Sequence, residues 1–239
     1  MEIDLENISS QFPAAAEYLS NLFLIGRDYG TVSNQRLAEW MGVSTPAVTQ
    51  ALGRLKKLGL VDYKRYEPAQ LTESGRIFAL RVLKRHYLLE HLLVRLLDFP
   101  WDKADLEARV LQNQISQDFE RHLDAKLGYP QTCPHGNPLP GASVEAKLLS
   151  APRLNQAPAG TRVLILRITE EGEAIPAMLP FCQNYGIKPG GHFEVQTGPP
   201  SGVSLAALDV KTQQSSPKSF FLPLNLAQHI RYEPLELES

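Results

Sequence analysis

Two short amphipathic segments joined by a tight turn place the strongest constraint on how this chain folds. The first, residues 33–41, carries apolar side chains at helical spacing and stops at Gly42. Ser44 or Thr45 is expected to cap a second helix, with Pro46 in its first turn. The apolar stripe of that helix consists of Val48, Leu52, Leu55 and Leu58. Two helices in this arrangement, the second opening with small polar side chains, predict a helix-turn-helix.

The segment that follows favours a winged form of this motif. Gly59 ends the second helix, and residues 60–66 and 69–72 then form two predicted strands around a turn. Residues 44–65 carry five basic side chains and one acidic one, although the whole chain has a net charge of −2. Because phosphate contacts supply much of a protein's affinity for DNA, we predict double-stranded DNA as the partner. A winged helix that contacts only protein is the alternative.

The predicted DNA contacts fall into two groups. The candidates at the start of the second helix are Ser44, Thr45, Pro46, Ala47, Thr49 and Gln50. Among them, Gln50 can form two hydrogen bonds with adenine, and Pro46 can contact a thymine methyl group. The phosphate candidates are Arg54, Lys56, Lys57, Lys64 and Arg65.

Length and composition indicate a globular cytoplasmic protein of two or three small domains. The 239 residues are 43% apolar, and no apolar stretch approaches the roughly 18 residues that a bilayer requires. The first six residues are acidic and lack the basic start of a signal peptide. Cys133 and Cys182 lie far apart, and neither belongs to a Cys-x-x-Cys pair, which favours free thiols over a disulfide or structural zinc.

Beyond the wing, the pattern changes twice. Residues 76–97 and 103–126 form two predicted helices separated by Pro100, and their surplus of apolar side chains favours a homodimer. From Gly160 onward, short alternating segments between turns indicate a small barrel of strands.

Together the segments resemble the family of metal-dependent transcriptional repressors that includes the diphtheria toxin repressor and the manganese transport regulator. The most specific stretches are residues 44–50, 71–75, 85–90 and 135–141. The resemblance implies a mainly α N-terminal half, with a winged helix-turn-helix (1–75) and a helical dimerisation and metal-binding domain (76–147). A connector and a small all-β SH3-like barrel follow at 148–239. It also implies a dimeric repressor of metal homeostasis, acting on palindromic operators and activated by Fe(II) or Mn(II).

The family's metal ligands carry over only in part. His86 and Glu90 occupy ligand positions four residues apart on one predicted helix. Asp105 stands where one branch of the family has a histidine, and Glu17 where it has methionine or aspartate. Carboxylate and imidazole together suit Mn(II) or Fe(II).

Other ligand positions have changed. Gln112 and Asn113 replace a Glu-His pair, and Arg109 replaces a cysteine or glutamate. In the barrel, Ile175 and Met178 take the places of an acid and an amide, unless the nearby acids at 170, 171 and 173 substitute for them. On a continuous helix, Asp105, Arg109, Gln112 and Asn113 would form one polar stripe.

Two interpretations of this altered site stay open, beside a conventional two-metal site. In the first, Arg109 replaces the activating metal by bonding Glu17 or Glu90, so that no metal is needed. In the second, one metal site remains, built from His86, Glu90, Asp105 and a barrel acid.

A further alternative is a barrel that binds a peptide or small molecule, with residues 138–140 as a segment that it could dock. No nucleophile elbow, phosphate loop or zinc-protease motif supports an enzyme.

Overall fold

The computed structural model describes residues 8, 11–64, 67–209, 211–212 and 214–235. They form two compact units. The first contains the residues up to Leu89 together with Leu106–Gly128, and the second contains Glu90–Asp105 and the residues from Tyr129 onward. Within these described ranges, no helix has the length and hydropathy needed to cross a bilayer.

The first unit is helical apart from a two-stranded antiparallel ribbon. Its ribbon pairs Val61 with Leu71. The elements are α1 (Ala15–Tyr29), α2 (Asn34–Met41), α3 (Thr45–Lys57), β1 (Val61–Asp62), β2 (Gln70–Leu71), α4 (Glu73–His91), α5 (Ala104–Leu111) and α6 (Gln117–Lys126). The last residues of α4 and the first of α5 belong to the second unit.

Local capping explains why α2 and α3 begin and end where the sequence predicts. The hydroxyl of Ser33 accepts a hydrogen bond from the Arg36 amide at 3.1 Å, and Ser44 caps α3 through the Ala47 amide at 3.4 Å. Gly42 ends α2 with a φ of 65°, a left-handed conformation that glycine adopts without a steric penalty. The predicted helix-turn-helix is therefore present, and Ser44 is its cap.

Apolar side chains from α1, α2 and α3 fill the core of the first unit. Leu19, Ile25, Leu37, Leu52 and Leu55 are fully buried there. On each of these helices the apolar residues recur with the 3.6-residue helical period, so they lie on one face, and that face points into the core.

One predicted helix is wrong, because residues 103–126 form two helices. The first, α5, ends at Leu111, residues 112–114 make a turn, and the Ser116 hydroxyl caps α6 through the Phe119 amide at 3.2 Å. Gln112 and Asn113 thus lie beyond the end of α5, so the predicted four-residue stripe does not exist. The sequence predicted one continuous helix because the apolar residues keep the same helical spacing on both sides of the short break.

The segment after α4 also departs from regular α-helix. Residues predicted as one helix to Leu97 form α4 up to His91 and then a π-helical turn, Leu92–Leu96. A 3-10 turn, Trp101–Lys103, leads into α5.

A five-stranded antiparallel sheet dominates the second unit, in the order β6-β5-β4-β3-β7. Its strands are β3 (Arg162–Ile168), β4 (His192–Gln196), β5 (Gly202–Leu208), β6 (Ser215–Pro223) and β7 (Ile230–Pro234). Short helices accompany them: α7 (Glu145–Ser150), α8 (Glu170–Glu173), α9 (Met178–Tyr185) and α10 (Leu224–Ala227). This confirms the predicted fold class, a helical N-terminal half followed by a small all-β domain.

The connector before the sheet folds into a tight hairpin held against β3. Thr132 bridges to Pro138, and the carbonyl of His135 accepts a hydrogen bond from the Ile168 amide at 2.9 Å. Gly136 has a φ of 91°, and a Cβ at this position would overlap the carbonyl oxygen of Leu166. Only glycine fits such a close approach of two backbones.

Candidate functional site

The first turn of α3 projects from the first unit. Val48 is fully buried and fixes the helix, whereas Ser44, Thr45, Pro46 and Gln50 are exposed. Ala47 and Thr49 are half-buried. All the predicted base contacts at this end of the helix except Ala47 and Thr49 are therefore fully accessible.

A cleft of about 670 Å³ separates the start of α3 from the wing. It is lined by Ser33, Asn34, Thr45, Pro46, Thr49, Gln50, Tyr63, Glu67 and Pro68. Several predicted DNA contacts thus share one concave surface, which is the form that a groove-reading helix and its wing present.

A hydrogen-bond network connects the three parts of this surface. The Asn34 amide group donates to the Thr49 hydroxyl at 3.1 Å and to the Tyr63 hydroxyl at 2.9 Å. Thr49 in turn donates to the carbonyl of Thr45 at 3.1 Å. Thr49 therefore acts inside the fold, and Asn34 is a positioning residue that the sequence did not reveal, since its partners lie 15 and 29 residues away.

The predicted phosphate contacts differ in their surroundings. Arg54, Lys56, Lys57 and Lys64 are all exposed. The Lys56 ammonium donates to the carbonyl of Tyr63 at 2.9 Å and so ties α3 to the wing. Lys64 lies 3.6 Å from the Glu67 carboxylate, which partly neutralises it. Arg65 lies outside the described residues.

The second unit encloses an unusual group of charged side chains. Glu90, Asp105, Glu170 and Glu173 are buried, and His135 from the connector hairpin is fully buried with them. His135 Nδ1 lies 3.4 Å from Glu90 Oε2 and 3.8 Å from Glu173 Oε2. We call Glu90, Asp105, Glu170, Glu173 and His135 the acidic cluster.

The charged groups of the acidic cluster shift one another's pKa values. Burial and the neighbouring carboxylates of Glu90, Asp105 and Glu170 raise the pKa of Glu173 well above its usual range, although His135 opposes this. Burial alone would lower the pKa of His135, but the carboxylates of Glu173 and Glu90 outweigh it and raise that pKa to about 9. Buried carboxylates in this number favour the binding of a cation.

Two further buried side chains position the cluster. The Asn137 amide group donates to the Ile168 carbonyl at 2.8 Å and also to Glu173 Oε1. Arg167, 1% exposed, donates to Asn137 Oδ1 at 3.2 Å and lies 3.6 Å from Glu170. Sequence analysis assigned no role to either residue, although Asn137 lies in the 135–141 stretch that the resemblance singled out.

Of the three acids that the sequence offers near Ile175 and Met178, Glu170 and Glu173 belong to the acidic cluster. Met178 is fully buried in the apolar core of the second unit, and Ile175 packs against that core. His135, which the sequence analysis includes only as part of the 135–141 stretch, belongs to the cluster as well.

The other predicted ligands lie in the first unit. His86 is buried on α4, with Nδ1 3.1 Å from Oε1 of Gln112. Glu17 is exposed on α1, and Arg109 is half-buried on α5. Glu90, one helical turn beyond His86, is in the second unit with Asp105.

Comparison with known proteins assigns both halves of the N-terminal region to one family. Residues 12–69 match the iron-dependent repressor N-terminal DNA-binding domain. Residues 72–141 match the iron-dependent repressor metal-binding and dimerisation domain.

Individual relatives agree with this assignment. The iron-dependent repressor IdeR of Mycobacterium tuberculosis is 31% identical over 198 residues, covering 79% of this chain and 86% of the relative. The diphtheria toxin repressor of Corynebacterium diphtheriae is 31% identical over 147 residues, 62% of this chain and 63% of that protein.

Among solved structures, a manganese-dependent transcriptional repressor in complex with manganese superposes with a TM-score of 0.77 at 32% identity, over 92% of this chain and all of that one. The predicted resemblance is confirmed. The chain belongs to the iron-dependent repressor family, the metal-dependent transcriptional repressors that include the diphtheria toxin repressor.

Proposed function

We propose that this protein is a dimeric, sequence-specific DNA-binding repressor of metal homeostasis whose affinity for its operator depends on Fe(II) or Mn(II). In this proposal, residues 1–75 bind DNA, residues 76–147 dimerise and hold metal, and residues 148–239 form the connector and SH3-like domain. The protein acts in the cytoplasm on palindromic operators and catalyses no reaction.

The single observation that carries the proposal is the acidic cluster. Buried carboxylates are costly unless cations accompany them. Glu90, Asp105 and Glu173 offer oxygen ligands, and oxygen with imidazole suits Mn(II) and Fe(II). The residues present therefore fit the metals that the relatives' names specify, even though the ligand positions on α5 and in the turn after it have changed.

His86 supplies the imidazole in this proposal. It precedes Glu90 by four residues on α4, so both project from one face of that helix. Gln112 Oε1 can only accept, so the His86 Nδ1 atom 3.1 Å away carries the proton, and Nε2 keeps its lone pair for a metal. Gln112, at a position where relatives carry a ligand, thus orients His86.

DNA contact rests on the exposed first turn of α3 and the basic side chains beside it. Ser44, Thr45, Pro46 and Gln50 are the proposed base contacts, with Ala47 and Thr49 as supporting residues. Arg54, Lys56, Lys57, Lys64 and Arg65 are the proposed phosphate contacts.

Dimerisation is supported by apolar side chains on the surface of the first unit. Leu106 and Val110 are each 68% exposed and lie four residues apart on α5, and Phe119 on α6 is 43% exposed. The sequence predicted that these residues would be covered, and a second copy of the chain supplies that cover in the proposed dimer.

The first experiment measures the fluorescence anisotropy of labelled DNA from upstream of this protein's own gene. Chelator-treated protein is titrated alone and with Mn(II) or Fe(II). We expect specific binding only with metal, and an Asp105→Asn variant should lose that response. Lys57→Ala should weaken binding, whereas Lys218→Ala removes the same charge from exposed strand β6 and serves as the control.

Tight, specific binding in chelator would overturn the metal requirement. It would favour the interpretation in which Arg109 supplies the positive charge, and Arg109→Ala would then abolish binding in chelator.

A further inference from the structure

We propose that Glu67 in the wing limits the affinity of this protein for DNA. Its carboxylate competes with phosphate for the Lys64 ammonium group and places a negative charge in the cleft between α3 and the wing. The inference rests on the proposed function, DNA binding through α3 and the wing. It adds a residue that acts against binding, whereas the two groups of predicted DNA contacts contain only residues that favour it.

Glu67 lies on the surface that would face DNA. It lines the same cleft as Thr45, Pro46 and Gln50, which belong to the first turns of α3. Among the residues of this cleft that the structure describes, Glu67 is the one charged side chain. When a recognition helix enters the major groove, the sugar-phosphate backbone beside that groove passes close to the helix and its wing. Because every phosphate is negative, Glu67 meets a like charge there.

Lys64 is the proposed phosphate contact that Glu67 holds. The Lys64 Nζ atom lies 3.6 Å from Glu67 Oε2, and the two side chains are 75% and 59% exposed. The Glu67 amide also donates to the Lys64 carbonyl at 3.0 Å, so a closed turn keeps the two residues together. A lysine carries its charge on one compact group. An ammonium group that is paired with Glu67 is therefore less available to a phosphate.

The helix-turn-helix fixes where this ion pair lies. Tyr63, the residue before Lys64, is held at both ends: its hydroxyl accepts a hydrogen bond from the Asn34 amide group at 2.9 Å, and its carbonyl accepts one from Lys56 Nζ at 2.9 Å. Asn34 belongs to α2 and Lys56 to α3. The wing therefore cannot carry Lys64 and Glu67 away from the cleft without breaking these two bonds.

The size of the effect follows from the exposure of the pair. Exposed ion pairs contribute little to stability, because water and salt screen them, so Glu67→Gln should leave the fold intact. At about 0.1 M salt the screening length is about 10 Å, and a phosphate in the cleft would lie within that distance of the carboxylate. We expect Glu67→Gln to bind DNA about threefold to tenfold more tightly. Phosphates carry no sequence information, so the gain should be equal for operator and unrelated DNA.

Salt dependence gives a more specific signature than affinity. The logarithm of the binding constant falls with the logarithm of the salt concentration, with a slope of about 0.9 for each phosphate contact. Releasing Lys64 from Glu67 strengthens one such contact, so the slope for Glu67→Gln should be steeper by up to about 0.9. A substitution that only loosened the wing would not add a phosphate contact.

The test is fluorescence anisotropy of labelled operator and of an unrelated duplex, from about 50 to 200 mM salt. Full-length protein is used in the metal condition in which the parent binds its operator. Lys64→Ala should weaken binding more in the Glu67→Gln background than in the parent, and the steeper slope should be absent from the double variant. Asp62→Asn is the matched control, since Asp62 is an exposed acid of the same ribbon but is not one of the cleft residues named above. Thermal melting verifies that each variant is folded.

Three results would overturn the inference: a slope for Glu67→Gln equal to that of the parent, a steeper slope that persists when Lys64 is alanine, or the same steepening in Asp62→Asn. Failure of the proposed function gives a different result, because the parent would then show no specific binding to the operator with or without metal. A parent that binds its operator while Glu67→Gln binds no more tightly contradicts the role of Glu67 alone.

Discussion

The two units handle buried charge in opposite ways. In the first unit each buried acid faces a base: Arg85 Nε lies 2.7 Å from Glu120 Oε2, and Lys84 Nζ lies 2.6 Å from Asp124 Oδ2. In the second unit, four buried carboxylates gather around Arg167 and His135. Removing one partner of a buried pair leaves an uncompensated charge, whereas neighbouring like charges in a cluster disfavour one another's ionised forms.

Breaking a balanced pair should have the largest effect on stability. Arg85→Met leaves Glu120 buried without its cation, and we expect the free energy of unfolding to fall by about 3–5 kcal/mol. Urea unfolding measures the loss. The double variant Arg85→Met with Glu120→Leu should recover much of it, since it removes both charges. If Arg85→Met is as stable as the parent, the ion pair between Arg85 and Glu120 does not contribute to stability.

Disturbing the framework of the acidic cluster should come next. Gly136→Ala forces a side chain against the backbone of Leu166 at a positive φ, and we expect a loss of about 2–4 kcal/mol. Gly141→Ala is the matched control, because Gly141 has a φ of 78° with open space around it. Its strain alone should cost about 1–2 kcal/mol. If the two variants lose the same free energy of unfolding, the close contact between Gly136 and β3 is not the reason that glycine is needed at this position.

Removing one carboxylate of the acidic cluster should instead increase the free energy of unfolding. Glu173→Gln keeps an oxygen for Asn137 but removes a carboxylate whose ionised form is disfavoured by burial and by its neighbours. Above the unfolded pKa of about 4.3, the charge at Glu173 opposes folding, so the variant should be more stable in chelator. Differential scanning calorimetry should show a rise of about 2–4 °C per kcal/mol gained.

The same variant should gain less than the parent from added Mn(II), because one oxygen ligand is gone. A melting temperature in chelator below that of the parent would contradict this prediction. It would show that the charge of Glu173 is compensated by its neighbours, as the buried acids of the first unit are.

Substituting the exposed face of the first unit should leave stability almost unchanged. For Gln50→Ala we expect a change within about 0.5 kcal/mol in the free energy of unfolding, because Gln50 is exposed. Its operator affinity should nevertheless fall by about 1–3 kcal/mol, and selectivity at one base pair should relax. Anisotropy with matched and mutated operators measures both. Gln35→Ala, an exposed glutamine on α2, is the control.

The sequence predicts what local chemistry determines. Ser33, Gly42 and Ser44 specify the turn of the helix-turn-helix through contacts within four residues, and the apolar spacing of α3 defines its buried face. Strand alternation in β3 and β4 likewise follows from the period of two. The fold class needed no information beyond these patterns and the resemblance.

Contacts between distant residues could not be predicted in this way. Asn137 and Glu173 are 36 residues apart, and Asn34 lies 15 and 29 residues from its two partners. None of these contacts has a periodic signal in the sequence. The break at residues 112–116 was missed because the apolar spacing survives it. The stretch that contains His135 was singled out by the resemblance, yet only the folded structure shows the carboxylates beside His135.

The division of the chain also sets an order of events during its synthesis. The first unit needs no residue after Gly128, whereas the second takes in Glu90–Asp105 and cannot finish until β7, ending at Pro234, pairs with β3. A ribosome adding about 5–20 residues per second needs about 5–20 s to cover that interval. Throughout it, Glu90 and Asp105 are already translated while the partners that will surround them are still being made. The nascent chain therefore completes the helix-turn-helix first and the acidic cluster last.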